Sequence, residues 1–281
     1  MRSTLLMGCG LTNGTRLQRR GAGAIPLWIA AGVLFVVPFS VAVGLLAGPI
    51  VPPREAPRQD LYQVPYNGNF TFTRVRYGSG GADRGFGWGW SSAWNHDYPA
   101  ADRNMQFILQ EYTGIEANTE GSNVLDLEDI RIFQHPILYM SEPGFWSVTE
   151  EGARNLREFL LKGGFLIFDD FELDQWHNMA AQVERALPES RWVEIDDSHP
   201  IFRSFFRVDD IYVPHPFVQV TPSYQAIFEG NDPNGRVMVL ANHNSDLAEY
   251  WEWSPNGRFG VDPTNDAFRL GVNYIVYAML H

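Results

Sequence analysis

The chain has 281 residues, 45% apolar and 14% aromatic, which suits one large or two small globular domains and excludes disordered and fibrous classes. Charge is divided unevenly: before Asp60 six basic residues accompany one acid, Glu55, and the remainder carries 15 basic residues against 32 acids. An acidic body repels phosphate backbones, which argues against nucleic-acid binding, and the sole cysteine, Cys9, leaves the body without disulfides, four-cysteine zinc sites or a cysteine nucleophile.

In chain order, residues 1–24 form a basic N-terminal tail with Arg16, Arg19 and Arg20. Residues 25–48 are almost wholly apolar and uncharged. About 20 such residues cross a bilayer, so this segment reads as a transmembrane signal anchor. A cleaved signal peptide is the alternative, because Pro38 divides the run and Ser40-Val41-Ala42 has small-x-small spacing. The preceding arginines stay cytoplasmic, which places the body outside the cytoplasmic membrane, single-pass or secreted. Pro49, Pro52, Pro53 and Pro57 stiffen a linker over 49–66, and the body occupies 67–281.

Asn69 to Tyr77 is rich in β-branched and aromatic residues and predicts a strand. A glycine- and tryptophan-rich stretch, Gly78 to His96, precedes a helix through Tyr112, with Asp97 as expected N-cap and Pro99 in its first turn. Pro136 to Met140 suits a buried parallel strand. Ser147 to Glu150 has capping-box spacing for a helix that stops at Gly163-Gly164. Phe165 to Phe168 is the next buried strand and ends at Asp169-Asp170. A helix over Asp174 to Leu187, strands at Arg191 to Ile195, Tyr224 to Phe228 and Arg236 to Ala241, and a helix over Asp266 to Leu280 complete the body. Alternating strands and helices predict an α/β three-layer sandwich with a mostly parallel sheet.

Open parallel sheets bind ligands beyond the carboxyl ends of their strands, so the loops after strands carry the candidates. Trp88, Trp90 and Trp94 could stack on sugar rings or pack over the sheet, and Asp97 follows them. No G-x-G-x-x-G or phosphate-loop lysine stands here, which argues against nucleotide binding. Asp169 and Asp170, with Glu142 after the preceding strand, could share a proton, bind a divalent cation, or cap a helix. His199 lies near two acids and could act as a base or as a turn residue; His243 and Asp246 are further candidates if the loops converge. No zinc-type helical spacing and no G-x-S-x-G elbow is present, so no metal set is assigned and no cofactor is expected beyond a possible divalent cation.

Tyr98 to Asn104, Pro136 to Met140, Leu156 to Asp170, His199 to Phe202, Asn244 to Ala248 with Trp251, and Phe268 to Tyr274 form blocks in an order that resembles the bacterial family called domain of unknown function 4159. The likeness covers about Phe70 to His281; more distantly, the His-Pro-Ile block and Asp209 to Tyr212 are similar to trehalose-utilisation-type proteins. Both resemblances imply a flavodoxin-like, class I glutamine-amidotransferase-like fold. Without a body cysteine, amidotransferase chemistry does not carry over. The resemblance also implies export or membrane anchoring, and an assembly with MoxR-type ATPases and von Willebrand factor A-type proteins. The functional expectation is a non-catalytic binding or assembly module for a protein partner or glycan. The alternative is a hydrolase or carbohydrate-modifying enzyme using Asp169, Asp170, Glu142 and His199.

Overall fold

The computed structural model describes residues 61–78, 90–208 and 210–281, so the expected span at 25–48 lies outside the described residues. Among the described residues of the compact unit 56–281, eight strands make one sheet: β1 (Leu61–Tyr62), β2 (Thr73–Arg76), β3 (Asn123–Asp126), β4 (Ile137–Ser141), β5 (Phe165–Phe171), β6 (Trp192–Ile195), β7 (Ser223–Phe228) and β8 (Val237–His243). The spatial order is β1-β3-β2-β4-β5-β8-β7-β6. The inner five, β3 to β8, are parallel, and β1, β7 and β6 add antiparallel edges. Numbered among themselves, the parallel strands run second, first, third, fourth, fifth. The order therefore reverses between β2 and β4, where open sheets leave a crevice beyond the strand ends.

Five helices, α1 (Ala100–Thr113), α2 (Glu150–Leu161), α3 (Gln175–Ala186), α4 (Leu247–Trp253) and α5 (Val261–Leu280), cover the two faces. Every residue of β4 and β5 is buried, as continuous runs between two helical layers must be. One core joins α1, α4 and α5 to the sheet; the other joins α2 and α3 to its opposite face. Gly271 on α5 lets Met105 and Trp251 approach so closely that a Cβ there would lie 2.4 Å from the Met105 methyl and 2.7 Å from the indole. Buried Asn273 ties the chain after β6 to α5, accepting from the amides of Phe205 and Phe206 at 3.0 and 2.7 Å.

Several boundaries differ from expectation. Thr149, rather than Ser147, caps α2 by accepting from the Gly152 amide at 2.9 Å. α5 begins at Val261, because Pro263 in its first turn favours initiation there. Asp97 does not cap α1: the N-cap position is Pro99, whose ring carries no hydrogen-bonding group. β5 continues past Phe168 through a register shift against β8 before Phe171, with Asp170 in left-handed backbone at φ 59°. Such a bulge re-aims side chains, and it separates the two adjacent aspartates.

Candidate functional site

Asp169 turns toward α4. Its Oδ2 accepts from the Tyr139 hydroxyl at 3.0 Å and from the amides of Leu247 and Ala248 at 2.9 and 3.2 Å, while Asn242 donates to Oδ1 at 3.1 Å. This carboxylate caps a helix that lies far along the sequence, and burial raises its pKa to about 7. Asp170 turns the other way. Its Oδ2 accepts from the Ser141 hydroxyl at 3.0 Å and lies 2.6 Å from His96 Nδ1.

His96 comes from the end of the connection after β2, in a short 3-10 turn (Trp90–Asn95) and the bend that follows it. What holds that connection down is Arg74. Its fully buried guanidinium pairs with Asp102 at 2.7 Å and donates to the carbonyls of Trp94 and His96 at 3.2 and 2.8 Å. The guanidinium also lies 5.0 Å from the Tyr139 ring centroid, so β2, β4, α1 and the loop meet at one cation. Thus anchored, His96 Nδ1 sits among three carboxylates: Asp170 at 2.6 Å, Glu142 at 3.8 Å and Asp97 at 3.9 Å. The imidazole side chain keeps 47% of its surface exposed.

The surrounding acids exceed the cations. The hydrogen bond to Asp170 raises the His96 pKa to about 10 against an opposing effect of burial. Burial, reinforced by Asp170, pushes Glu142 up to about 8 and raises Asp97 and Asp246 well above the usual carboxylate range. Asp97, Glu142 and Asp170 all have left-handed backbone, at φ 62°, 51° and 59°. Non-glycine residues held there are strained by roughly 1–3 kcal/mol each, and such strain gathers at functional sites. His215, whose pKa burial lowers, lies near Asp170 and Asp246; its Nδ1 accepts from the amides of Phe217 and Val218 at 3.2 and 3.3 Å. Three triplets bring one ligand atom per residue within 4.8 Å of one another: His96, Asp97 and Glu249; His96, Glu142 and Asp170; and Asp170, His215 and Asp246. Glu249 and Asp246 enter through α4, where Asp246 caps the helix by accepting from the Glu249 amide at 3.0 Å.

A family model described as Domain of unknown function (DUF4159) matches residues 71–279. The chain belongs to the DUF4159 family. No curated protein matches the chain significantly. In this DUF4159 chain the structure brings together Asp170, Glu142, Asp97 and Asp246 from among the sequence candidates, with Asp169 beside them but committed to α4. His199 is not among them. Its Nδ1 accepts from the Ile201 amide at 3.2 Å, and its ring packs on Phe228 and Tyr277, so it is the turn residue and not a base for Asp169 or Asp170. His243 is likewise structural, bonded to the Leu173 carbonyl at 3.1 Å and lying against Phe171 and Trp176. Trp94 flanks the site through its backbone and packs on Tyr98 with centroids 6.0 Å apart. Trp88 and the Trp90 side chain lie outside what is described. Sequence reasoning passed over His96, Arg74, His215 and Glu249. His96 beside Asp97 and Arg74 within a strand were the available signals.

Proposed function

We propose that this chain is a hydrolase acting on neutral, hydroxyl-rich substrates, with cell-envelope saccharides as the class, and that it works outside the membrane from residues 25–48 as anchor. The observation that carries this reading is His96 Nδ1 at 2.6 Å from Asp170, flanked by Glu142 and Asp97, with part of the imidazole open to solvent. His96 is the proton carrier. Asp170 orients the ring and stabilises its charged form, and Glu142, held near pH 8 by burial, is a second group able to exchange a proton at neutral pH. The excess of carboxylates disfavours phosphorylated and other anionic substrates by like-charge repulsion, which supports a neutral saccharide. Trp94 and Tyr98 supply an aromatic edge beside the site, as sugar rings prefer. We infer also that the fold is flavodoxin-related and class I glutamine-amidotransferase-like, supported by the strand order of the parallel core and by a site at its reversal point.

The test is to incubate the full chain with envelope polysaccharides and oligosaccharides and measure new reducing ends, alongside His96→Gln and His199→Ala. A proton carrier contributes about 100- to 10,000-fold, so His96→Gln should lose at least that lower factor and His199→Ala should keep wild-type turnover. Equal turnover by wild type and His96→Gln refutes the reading. Saccharide binding without turnover in either would return the site to a binding module of a larger assembly.

A further inference from the structure

We propose that the paired carboxylates of Asp97 and Glu249 hold a divalent cation of the hard, oxygen-preferring class, directly behind His96. The proposal deepens the hydrolytic reading of the same site and rests on it for the use of the cation but not for its binding. Asp97 is 5% exposed, and neither of its carboxylate oxygens, both buried, has a hydrogen-bond donor. Its neighbour Glu249, 4% exposed, is a second carboxylate, and together with His96 the two bring ligand atoms within 4.8 Å of one another. Two oxygen ligands of one calcium-sized ion stand at most about 4.6–5.2 Å apart, twice the bond length, and these atoms are close enough to share one ion. Two carboxylates so placed out of water require a cation or a shared proton.

Neither nearby cation gives Asp97 a hydrogen bond. The terminal nitrogens of Arg74 donate to Asp102 and two carbonyls, and His96 Nδ1 lies on Asp170, 3.9 Å from Asp97. Buried polar atoms are almost always bonded, so the two unpartnered oxygens of Asp97 indicate a ligand that belongs there. His215 belongs to the neighbouring triplet with Asp170 and Asp246, its Nε2 3.8 Å from Glu172. His215 itself is not a ligand. With Nδ1 accepting from two amides, the neutral ring carries its proton on Nε2 and has no lone pair to give. The donors left to the cation are therefore chiefly oxygens, which selects magnesium, manganese or calcium over zinc.

The experiment is a Mn²⁺ titration of the full chain after chelator treatment, read by the loss of the free-ion electron paramagnetic resonance signal, with competition by Mg²⁺, Ca²⁺ and Zn²⁺. One saturable Mn²⁺ per chain is expected, displaced by Mg²⁺ or Ca²⁺, and weakened about tenfold or more in Asp97→Asn and in Glu249→Gln, both checked as folded by circular dichroism. No saturable binding, unchanged affinity in both folded variants, or displacement by Zn²⁺ alone overturns the proposal. Turnover and Mn²⁺ binding measured together on the wild type separate the two readings. Mn²⁺ binding with no saccharide turnover removes the hydrolase and keeps the cation; turnover that survives chelator with no Mn²⁺ bound does the reverse.

Discussion

Replacing Arg74 by methionine tests what holds the site in place. The guanidinium is fully buried, as is Asp102, and it also supplies donors to the Trp94 and His96 carbonyls. Methionine keeps much of the stem's packing but leaves Asp102 as an uncompensated buried charge, a loss of about 3–5 kcal/mol. At roughly 2–4 °C per kcal/mol for a domain of this size, the melting temperature should fall by about 6–20 °C. Calorimetry of wild type, Arg74→Met, Asp102→Leu and the double variant forms a cycle. If the pair is the cause, the double variant should be at least about 2 kcal/mol more stable than Arg74→Met, because an apolar pair of similar volume replaces a broken ion pair. A drop of less than about 1 kcal/mol in Arg74→Met would mean that the pair behaves like a solvated surface bridge and would refute the argument.

Two further outcomes follow from packing and titration. A Cβ on Gly164 would lie 2.4–2.6 Å from three atoms of the buried Phe159 ring, so Gly164→Ala should cost about 1–3 kcal/mol in urea unfolding, and adding Phe159→Leu should recover part of it. The second concerns pH. Asp169, Glu142 and His96 have pKa values raised to about 7, 8 and 10, so each contributes stability that is complete below its ordinary value and is lost as pH rises through the raised one. His135 acts oppositely: burial lowers it to about 4, and its contribution is complete above its ordinary value of 6.5 and is lost as pH falls toward 4. In chelator, the melting temperature should therefore fall from pH 6 to pH 9, less steeply in Glu142→Gln; a steady rise over that interval would contradict the burial argument.

Periodicity revealed the parts of the fold that are long or continuously buried. β4 and β5 announce themselves as apolar runs, and α1, α2 and α5 as stripes, because burial on one or two faces must be written in those patterns. β3 and α4 escaped notice for the same physical reason. β3 has four residues, with Val124 and Leu125 as its only large apolar pair, and α4 has seven, too few for a period to repeat. The start of α4 is fixed by Asp246 and by Asp169, 78 residues away from Leu247, so its second cap is tertiary and leaves no local trace. The antiparallel edge β8-β7-β6 was legible as strands but not as a direction, which only pairing decides.

The site obeyed a rule of topology more than any motif. Looking beyond strand ends found Glu142 after β4, Asp170 in β5 and Asp246 after β8, because parallel strands deliver their exits to one side of the sheet. The rule cannot say which of two adjacent acids turns inward, and here the bulge in β5 gives Asp169 to a helix and Asp170 to the site. Nor can it choose between histidines. His96 and His199 both follow strands and both lie close to acids in sequence, yet one meets Asp170 and the other packs on Phe228. The difference is made by Arg74, which draws the loop after β2 over the ends of β4 and β5 by its carbonyls. A charge placed inside a strand, where burial penalises it, is thus the sequence's own record that something must be held there.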